Sequence, residues 1–226
     1  MARFASACQT KQECIAVPGV ADLQIRSLQD RQQFFDPQGQ AQRLGISSAM
    51  WPLFGLLWPS GLHLAQRLGA HVLQPAQRIL EVGCGLGLAS LVAHRRGADV
   101  TASDNHPLTA SFLHHNTRLN GLPPMRYRHG PWSPGGRGKV VDGAYDLIVG
   151  SDLLYDRDAS QALGGFIGRH ASAQAQVWIV DPERGNRPAF TRQMAAMGFS
   201  LREQRLDHAA TPALAAYKGR MLTYSR

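Results

Sequence analysis

The residues best able to do chemistry in this sequence lie in one glycine-rich segment, which reads LEVGCGLG over residues 80–87. Gly83, Gly85 and Gly87, with Cys84 between the first two, allow a tight turn and the close approach of a ligand to the backbone. The apolar residues before the turn predict a strand, and those after it predict a helix whose first free amides favour an anionic group. The segment therefore predicts a nucleotide-like binding site at the carboxyl end of a strand.

An acidic residue ends the next predicted strand. Asp104 comes 21 residues after Gly83, where a carboxylate can accept hydrogen bonds from both hydroxyls of a ribose. The alternative is that Asp104 caps the helix starting near Pro107. The glycine spacing is G-x-G-x-G rather than the G-x-G-x-x-G of dinucleotide sites, and no set of residues for hydride transfer is evident, so NAD is disfavoured.

Strands and helices alternate along most of the chain. Together they predict an α/β fold with a Rossmann-like, doubly wound, mostly parallel seven-stranded sheet and an antiparallel edge strand. We predict a short N-terminal extension over 1–49, with a β-hairpin around Pro18 and Gly19, followed by one domain over 50–226. Strands are predicted over 78–82, 99–103, 125–129, 145–150, 176–180, 199–206 and 214–224, and helices over 58–70, 88–96, 107–120, 159–169 and 188–197.

The composition excludes several classes of protein. No apolar run approaches the roughly 20 residues that span a bilayer, and the start lacks a secretory signal, so no membrane association is expected. Three cysteines are too few for a disulfide framework and fit a cytoplasmic protein. The nine histidines form no metal-binding spacing, so no metal is expected. The net charge of +8 comes from scattered arginines, and the glycine-rich piece 134–139 is interpreted as a surface loop.

Glu81 completes the pattern E-x-G-x-G-x-G, which resembles motif I of class I methyltransferases. More closely, residues 50–200 resemble the seven-β-strand, methyltransferase-like protein-lysine methyltransferases. The resemblance implies S-adenosyl-L-methionine as the cofactor, with Glu81 holding the amino group of its methionine moiety. The cofactor-binding residues that it implies are Trp58, Glu81, Gly83, Cys84, Gly85, Gly87, Asp104, Trp132 and Ser151.

Three further motifs carry the resemblance. The segment 58–61 (WPSG) matches a family segment that leads the first helix, and Trp132 matches a tryptophan beside the adenine. Asp152 and Tyr155 match the D-x-x-Y motif after strand four, and they are the candidate catalytic residues that would hold and orient a lysine amine. The alternatives are a helix cap for Asp152 and plain packing for the three aromatic residues.

Two positions depart from the family pattern. Pro131 stands where an acidic residue often precedes the tryptophan. The segment 181–184 reads DPER, whereas some members that modify an electron-transfer flavoprotein subunit have D-P-G-R, so that substrate is not carried over. Arg184 is a candidate substrate-binding residue that could meet a substrate carboxylate, and the alternative is a plain surface position. We predict a methyltransferase acting on a lysine of a protein; the alternatives are a small-molecule amine or RNA base as acceptor, or a non-catalytic nucleotide-binding module.

Overall fold

A seven-stranded mixed sheet lies at the centre of the computed structural model, which describes residues 8–132, 140–210 and 215–226. The strands are β1 (Thr10–Ile15), β2 (Leu23–Leu28), β3 (Arg78–Val82), β4 (Asp99–Asp104), β5 (Arg126–His129), β6 (Tyr145–Ser151), β7 (Ala171–Asp181), β8 (Ser200–Arg205) and β9 (Arg220–Ser225). The sheet order is β5-β4-β3-β6-β7-β9-β8, and only β9 runs antiparallel to its neighbours. The predicted Rossmann-like fold is confirmed.

Helices cover both faces of this sheet. They are α1 (Gln40–Arg43), α2 (Pro59–Gly69), α3 (Leu88–Arg95), α4 (Thr109–Leu119), α5 (Arg157–His170) and α6 (Arg187–Ala196), and a 3-10 helix spans Trp51–Gly55. Successive residues of a strand point to opposite faces, and accordingly Ile79 and Leu80 of β3 belong to two different hydrophobic clusters. The cluster around Ile79 includes α2 and α3, and the cluster around Leu80 includes α5 and α6.

Several predicted boundaries were wrong. The last strand begins at Arg220 rather than at residue 214, and residues 211–214 lie outside the described part, as does the glycine-rich piece 134–139. The predicted antiparallel addition at one edge is present, and within it β9 lies between β7 and β8. Helix α4 begins at Thr109, two residues after Pro107. Sequence patterns locate a strand but carry no information about which neighbour it pairs with.

The predicted N-terminal hairpin is present. Strands β1 and β2 pair antiparallel as a separate two-stranded sheet. The buried side chains of Leu23, Ile25 and Leu28 belong to the same hydrophobic cluster as Ile79 of the central sheet. The hairpin is therefore packed against the α/β core.

Two asparagines of α4 pair with the free edge of β2. The Asn116 amide accepts a hydrogen bond from the Arg26 backbone N–H at 2.8 Å and donates to the Arg26 carbonyl at 3.3 Å. Asn120 makes the same pair of bonds with Gln24, at 2.9 and 2.8 Å. Because Gln24 and Arg26 are alternate residues, these side chains supply bonds that a neighbouring strand would otherwise make.

The carboxyl ends of the parallel strands converge at one edge of the sheet. Val82 ends β3, Asp104 ends β4, Ser151 ends β6 and Asp181 ends β7. This edge is where an open α/β sheet places its ligand. In the described residues, no helix has the length and apolar character needed to cross a membrane.

Candidate active site

A cavity of about 730 Å³ opens at the carboxyl ends of the parallel strands. Such a volume suits a ligand of the size of a nucleoside derivative. Every residue assigned to the site from the sequence lines this cavity: Trp58, Glu81, Gly83, Cys84, Gly85, Gly87, Asp104, Trp132, Ser151, Asp152, Tyr155 and Arg184. The residues singled out from the sequence are thus brought together in one place.

The glycine turn after β3 has no room for side chains. Gly85 has φ +50°, and a Cβ at this position would lie 2.8 Å from the backbone carbonyl oxygen of Phe54. Gly83 has φ +60°, and its Cβ would lie 2.5 Å from the side chain of Leu153. The turn is thus pressed between the 3-10 helix and the loop after β6, and it leaves its backbone facing the cavity.

Glu81 is a buried carboxyl at the inner wall of the cavity. One of its oxygens accepts hydrogen bonds from the backbone N–H of Ser90, at 2.8 Å, and from the Ser90 hydroxyl. Burial raises the pKa of Glu81 to about 7, and the nearby charge of Asp104 acts in the same direction. A cationic group bound beside Glu81 would favour its ionised form.

Asp104 is fixed at the boundary between the glycine turn and the next loop. Its two oxygens accept backbone N–H bonds from Gly85 at 2.9 Å and from His106 at 2.8 Å. Burial raises the pKa of Asp104, while these backbone hydrogen bonds oppose the rise. Each carboxylate oxygen retains a lone-pair direction, so the group can still accept two ligand hydroxyls.

Asn105 and His106 also line the cavity, and the sequence analysis missed them. Asn105 Oδ1 and His106 Nε2 are buried without a hydrogen-bond partner in the described structure. The His106 ring stacks on Phe54 with centroids 3.7 Å apart, and burial lowers the pKa of His106 to about 3, so it is neutral. Only their position after an acidic strand end could have identified them.

Residues 44–57, which include the 3-10 helix, cover the cavity. Trp51 packs edge-to-face against both Phe54 and His106, with centroids 5.8 and 5.5 Å apart. Trp58 donates its indole N–H to the Leu53 carbonyl at 2.9 Å, so this tryptophan also anchors the covering segment. The apolar side chains of this segment that line the cavity are Leu44, Ile46, Met50, Leu53, Phe54, Leu56 and Leu57.

These features fit S-adenosylmethionine. The cradle beside Gly85 has no space for a Cβ, Asp104 can accept ribose hydroxyls, and Glu81 can face an ammonium group. The unpartnered polar atoms of Asn105 and His106 lie where a polar nucleoside would complete their hydrogen bonding.

Asp152 lies at the other end of the cavity in an unusual conformation. Its φ is +57°, and its backbone N–H donates to the Val180 carbonyl at 2.8 Å. The side chain is only 11% exposed, and one oxygen accepts from Arg184 Nε at 2.9 Å and Nη2 at 2.8 Å. Asp152 does not cap the following helix; Asp156 does, through the N–H of Ala159 at 2.9 Å.

Tyr155 and Trp132 flank this end of the cavity differently. Tyr155 is 42% exposed, and partial burial together with the charges of Asp104 and Asp156 raises the pKa of its hydroxyl. Trp132 packs partly against the cluster of α5 and α6, and its carbonyl accepts from Arg169 at 2.8 Å. Because Tyr155 is partly exposed and lines the cavity, its hydroxyl is accessible to an entering substrate.

Residues 52–195 match the family model described as "Lysine methyltransferase". The chain belongs to this lysine methyltransferase family. Since the match covers well over half of the chain, it confirms the predicted family, the predicted enzyme class of protein-lysine methyltransferase and the use of S-adenosyl-L-methionine. Among the described residues, no three His, Cys, Asp or Glu side chains gather closely enough to hold a metal.

Curated relatives of this lysine methyltransferase chain act on several proteins. It is 27% identical to "Electron transfer flavoprotein beta subunit lysine methyltransferase" of Xenopus laevis, over 76% of this chain and 67% of that protein. It is 32% identical to "Protein N-lysine methyltransferase METTL21A" of Danio rerio over 54% of each, and 25% identical to "EEF1A lysine methyltransferase 3" of Mus musculus over 73% and 68%. The matches span about half to two thirds of the relatives' lengths.

Solved structures share the fold at lower identity. The ribosomal protein L11 methylase of Lactobacillus delbrueckii subsp. bulgaricus has a TM-score of 0.56 and 22% identity, covering 76% of this chain and 80% of that one. Magnesium protoporphyrin IX methyltransferase from Synechocystis PCC 6803 with bound SAM has a TM-score of 0.56 and 16% identity, covering 86% and 94%. At these identities the likeness shows the methyltransferase fold alone.

Proposed function

We propose that this chain transfers a methyl group from S-adenosylmethionine to the amine of a lysine side chain in a protein substrate. The observation that carries the proposal is that Asp152 and Tyr155 line the same cavity as Glu81, Asp104 and the glycine turn. Groups suited to the methyl donor and groups suited to an amine therefore face the same cavity, as a direct displacement requires.

The inner part of the cavity is assigned to the cofactor. Glu81 would pair with the ammonium group of the methionine moiety, and Asp104 would accept the ribose hydroxyls. Asn105 and His106 follow Asp104 directly, so their unpartnered atoms would face the nucleoside. When bound, the cofactor supplies an electrophilic methyl group on a sulfonium. The protein's part is to fix its direction and exclude water.

The outer part of the cavity is assigned to the acceptor. A lysine is normally protonated, with a pKa of about 10.4, and must lose a proton before it can attack. The Asp152 carboxylate and the Tyr155 hydroxyl would accept hydrogen bonds from the amine and so orient its lone pair. Tyr155 is 42% exposed, so the proton has a path to water at the mouth of the cavity.

The surface around the mouth supports a protein acceptor. Of the five large exposed apolar side chains in the described residues, Leu44, Met50 and Tyr155 line the cavity and Phe34 packs edge-to-face on Trp51, whereas Val72 does not line it. Exposed apolar surface next to an opening is typical of a site that buries against a macromolecule. The substrates named for two relatives, electron transfer flavoprotein beta subunit and EEF1A, are also proteins.

A cytoplasmic location is part of the proposal. Cys8, Cys14 and Cys84 are all free thiols. Free thiols are the rule in reducing compartments, where disulfides do not persist.

The proposal is tested by Asp152→Asn, which preserves shape and removes the charge. We expect S-adenosylmethionine to bind the variant as it binds the wild type, whereas methyl transfer into lysate protein falls about a hundredfold or more. Asp142→Asn, at an exposed side chain outside the cavity, is the matched control and retains turnover. Full turnover by Asp152→Asn would remove Asp152 from the reaction.

A further inference from the structure

Arg184 forms an ion pair with Asp152, the carboxylate that the acceptor lysine is proposed to meet. Its Nε and Nη2 atoms donate to the same Asp152 oxygen, Oδ1, at 2.9 and 2.8 Å. The Asp152 side chain is 11% exposed and that of Arg184 is 41% exposed, so the pair lies at the boundary between cavity and solvent. A lysine reaching Asp152 therefore meets an ion pair rather than a free carboxylate.

The position of Arg184 is built into the turn after β7. Its backbone N–H donates to both oxygens of Asp181, at 3.3 and 3.1 Å, and Asp181 is fully buried. Ser151 of β6 and Val180 of β7 are paired neighbours, so Asp152 and Asp181 leave adjacent strands side by side. The register of the two strands thus brings the arginine onto Asp152.

The backbone has a positive φ on both sides of the ion pair. Asp152 and Glu183 are two of the three non-glycine residues with positive φ in the described structure, at +57° and +59°. Glu183 is held by ion pairs with Lys218 at 3.2 Å and Arg220 at 3.4 Å. A positive φ is uncommon outside glycine, so the two turns that carry the ion pair are fixed by their surroundings.

The charge of the pair decides which form of the acceptor is stabilised. A lone carboxylate beside an amine favours the ammonium ion, which has no lone pair and cannot attack. A guanidinium fixed on that carboxylate cancels its charge and, as a neighbouring cation, disfavours the ammonium ion. We propose that Arg184 is a positioning residue that neutralises Asp152, so that the acceptor lysine is bound as a neutral amine. This inference rests on the lysine-methylating function proposed above.

Other ionisable groups nearby leave a usable pH window. Burial raises the pKa of Asp181 to about 6, and burial raises the pKa of Tyr217, whose hydroxyl bonds to Ser60, to about 12. The pKa of Tyr155 is also raised. Glu183 is held ionised by Lys218, which lowers its pKa, and Asp156 caps α5. The pKa of Glu81 on the cofactor side is about 7, just below the range of pH 7.5 to 9.5 that is used, so rates are compared at saturating S-adenosylmethionine.

The test is the pH dependence of kcat, which reports the enzyme–substrate complex. The probe is the most heavily labelled lysate protein, purified and used at saturating concentration. For Arg184→Gln we expect the midpoint of the rising limb to move up by about one pH unit, with kcat about tenfold lower at pH 7.5 and restored near the upper end of the range. Arg184→Lys keeps a cation and keeps the wild-type midpoint. Arg192→Gln, an exposed arginine of α6 outside the cavity, is the control.

A second variant covers the case in which an unpaired carboxylate prevents folding. Asp152→Asn combined with Arg184→Gln removes both charges. Measured at the high enzyme concentration that its low kcat requires, the midpoint of its residual rate should return towards that of the wild type. A kcat lowered equally at every pH, with an unmoved midpoint, would show a purely structural role for Arg184 and overturn the inference. If the wild type binds S-adenosylmethionine but labels no protein lysine, the proposed function itself fails.

Discussion

At the scale of single residues, Glu81 makes the cofactor side of the cavity sensitive to pH. The carboxyl is buried and its pKa is raised to about 7, so near neutral pH it is only partly ionised before a ligand binds. An ammonium group can pair only with the ionised form. Protonation of Glu81 and binding of the methionine moiety therefore compete.

Affinity for S-adenosylmethionine should consequently rise as pH increases from 6 to 7.5. At pH 6 about a tenth of the Glu81 carboxyls are ionised, so we expect affinity several-fold to tenfold weaker there. Glu81→Gln should bind more weakly and with little pH dependence, which isothermal titration calorimetry would measure. Glu13→Gln on the exposed hairpin is the control. Equal pH slopes for the wild type and Glu81→Gln would rule out this role.

The sequence predicted Glu81, Asp104 and Asp152 because motif spacing is local. It did not reveal His106, which is neutral because it is buried, and which stacks on Phe54 about fifty positions earlier in the chain. It also did not reveal the bond between Arg184 and Asp152, because that bond depends on the pairing of β6 with β7. Contacts between distant segments leave no pattern in a single sequence.

At the scale of elements, the glycine turn and the 3-10 helix meet without a gap. A Cβ on Gly85 would lie 2.8 Å from the Phe54 carbonyl oxygen, so a side chain at this position must displace the 3-10 helix. Gly97 has a similar positive φ of +82° with nothing within 4 Å of its Cβ position. Substitutions at the two glycines share the cost of a positive φ, and only the one at Gly85 adds a steric clash.

Gly85→Ala is expected to destabilise the protein more than Gly97→Ala. Both substitutions carry the cost of a left-handed alanine, about 1 kcal/mol, and Gly85→Ala adds a clash with backbone of about 1–3 kcal/mol. Gly85→Ala should also weaken S-adenosylmethionine binding, whereas Gly97→Ala should not. Denaturant unfolding and calorimetric titration measure the two effects. If both variants behave alike, the turn is not pressed against the 3-10 helix.

The hairpin is joined to the core by the asparagines of α4. Asn116→Ala leaves the Arg26 N–H and carbonyl without their partner, and it also removes a bond to the Leu86 carbonyl beside the glycine turn. We expect the free energy of unfolding to fall by about 2–3 kcal/mol. His114→Ala, on the exposed side of the same helix, should change it by less than about 0.5 kcal/mol. Equal unfolding midpoints would show that the pairing contributes nothing.

Element types were largely predictable and their arrangement was not. Continuous apolar runs identified the strands at β3 and β6, and helices were predicted after both of them. The insertion of β9 between β7 and β8 involves pairing across the sheet, and the 3-10 helix at Trp51–Gly55 lies in a stretch broken by glycine and proline. The structure of that stretch depends on its packing against His106 and the glycine turn rather than on its own periodicity.

At the scale of the whole molecule, one cavity is lined by the sheet edge, by residues 44–57 and by the loop after β7. The family match begins at residue 52, yet Leu23, Ile25 and Leu28 of the hairpin join the same core as the matched region. The hairpin and the 3-10 helix together hold Phe54 over the glycine turn, because a Cβ on Gly55 would meet Leu28 at 2.5 Å. The hairpin therefore belongs to the same packed core that supports the cavity in which methyl donor and acceptor amine would meet.

The central claim is that this cavity delivers a methyl group to a lysine of a protein. The most direct measurement incubates wild-type enzyme and Asp152→Asn with tritiated S-adenosylmethionine and a cell lysate, followed by ribonuclease or protease treatment and amino-acid analysis of the labelled fraction. The account predicts ribonuclease-resistant, protease-sensitive label that is recovered as methylated lysine and falls about a hundredfold in Asp152→Asn. Label recovered in RNA or in small molecules, or label that is unchanged in Asp152→Asn, would contradict it.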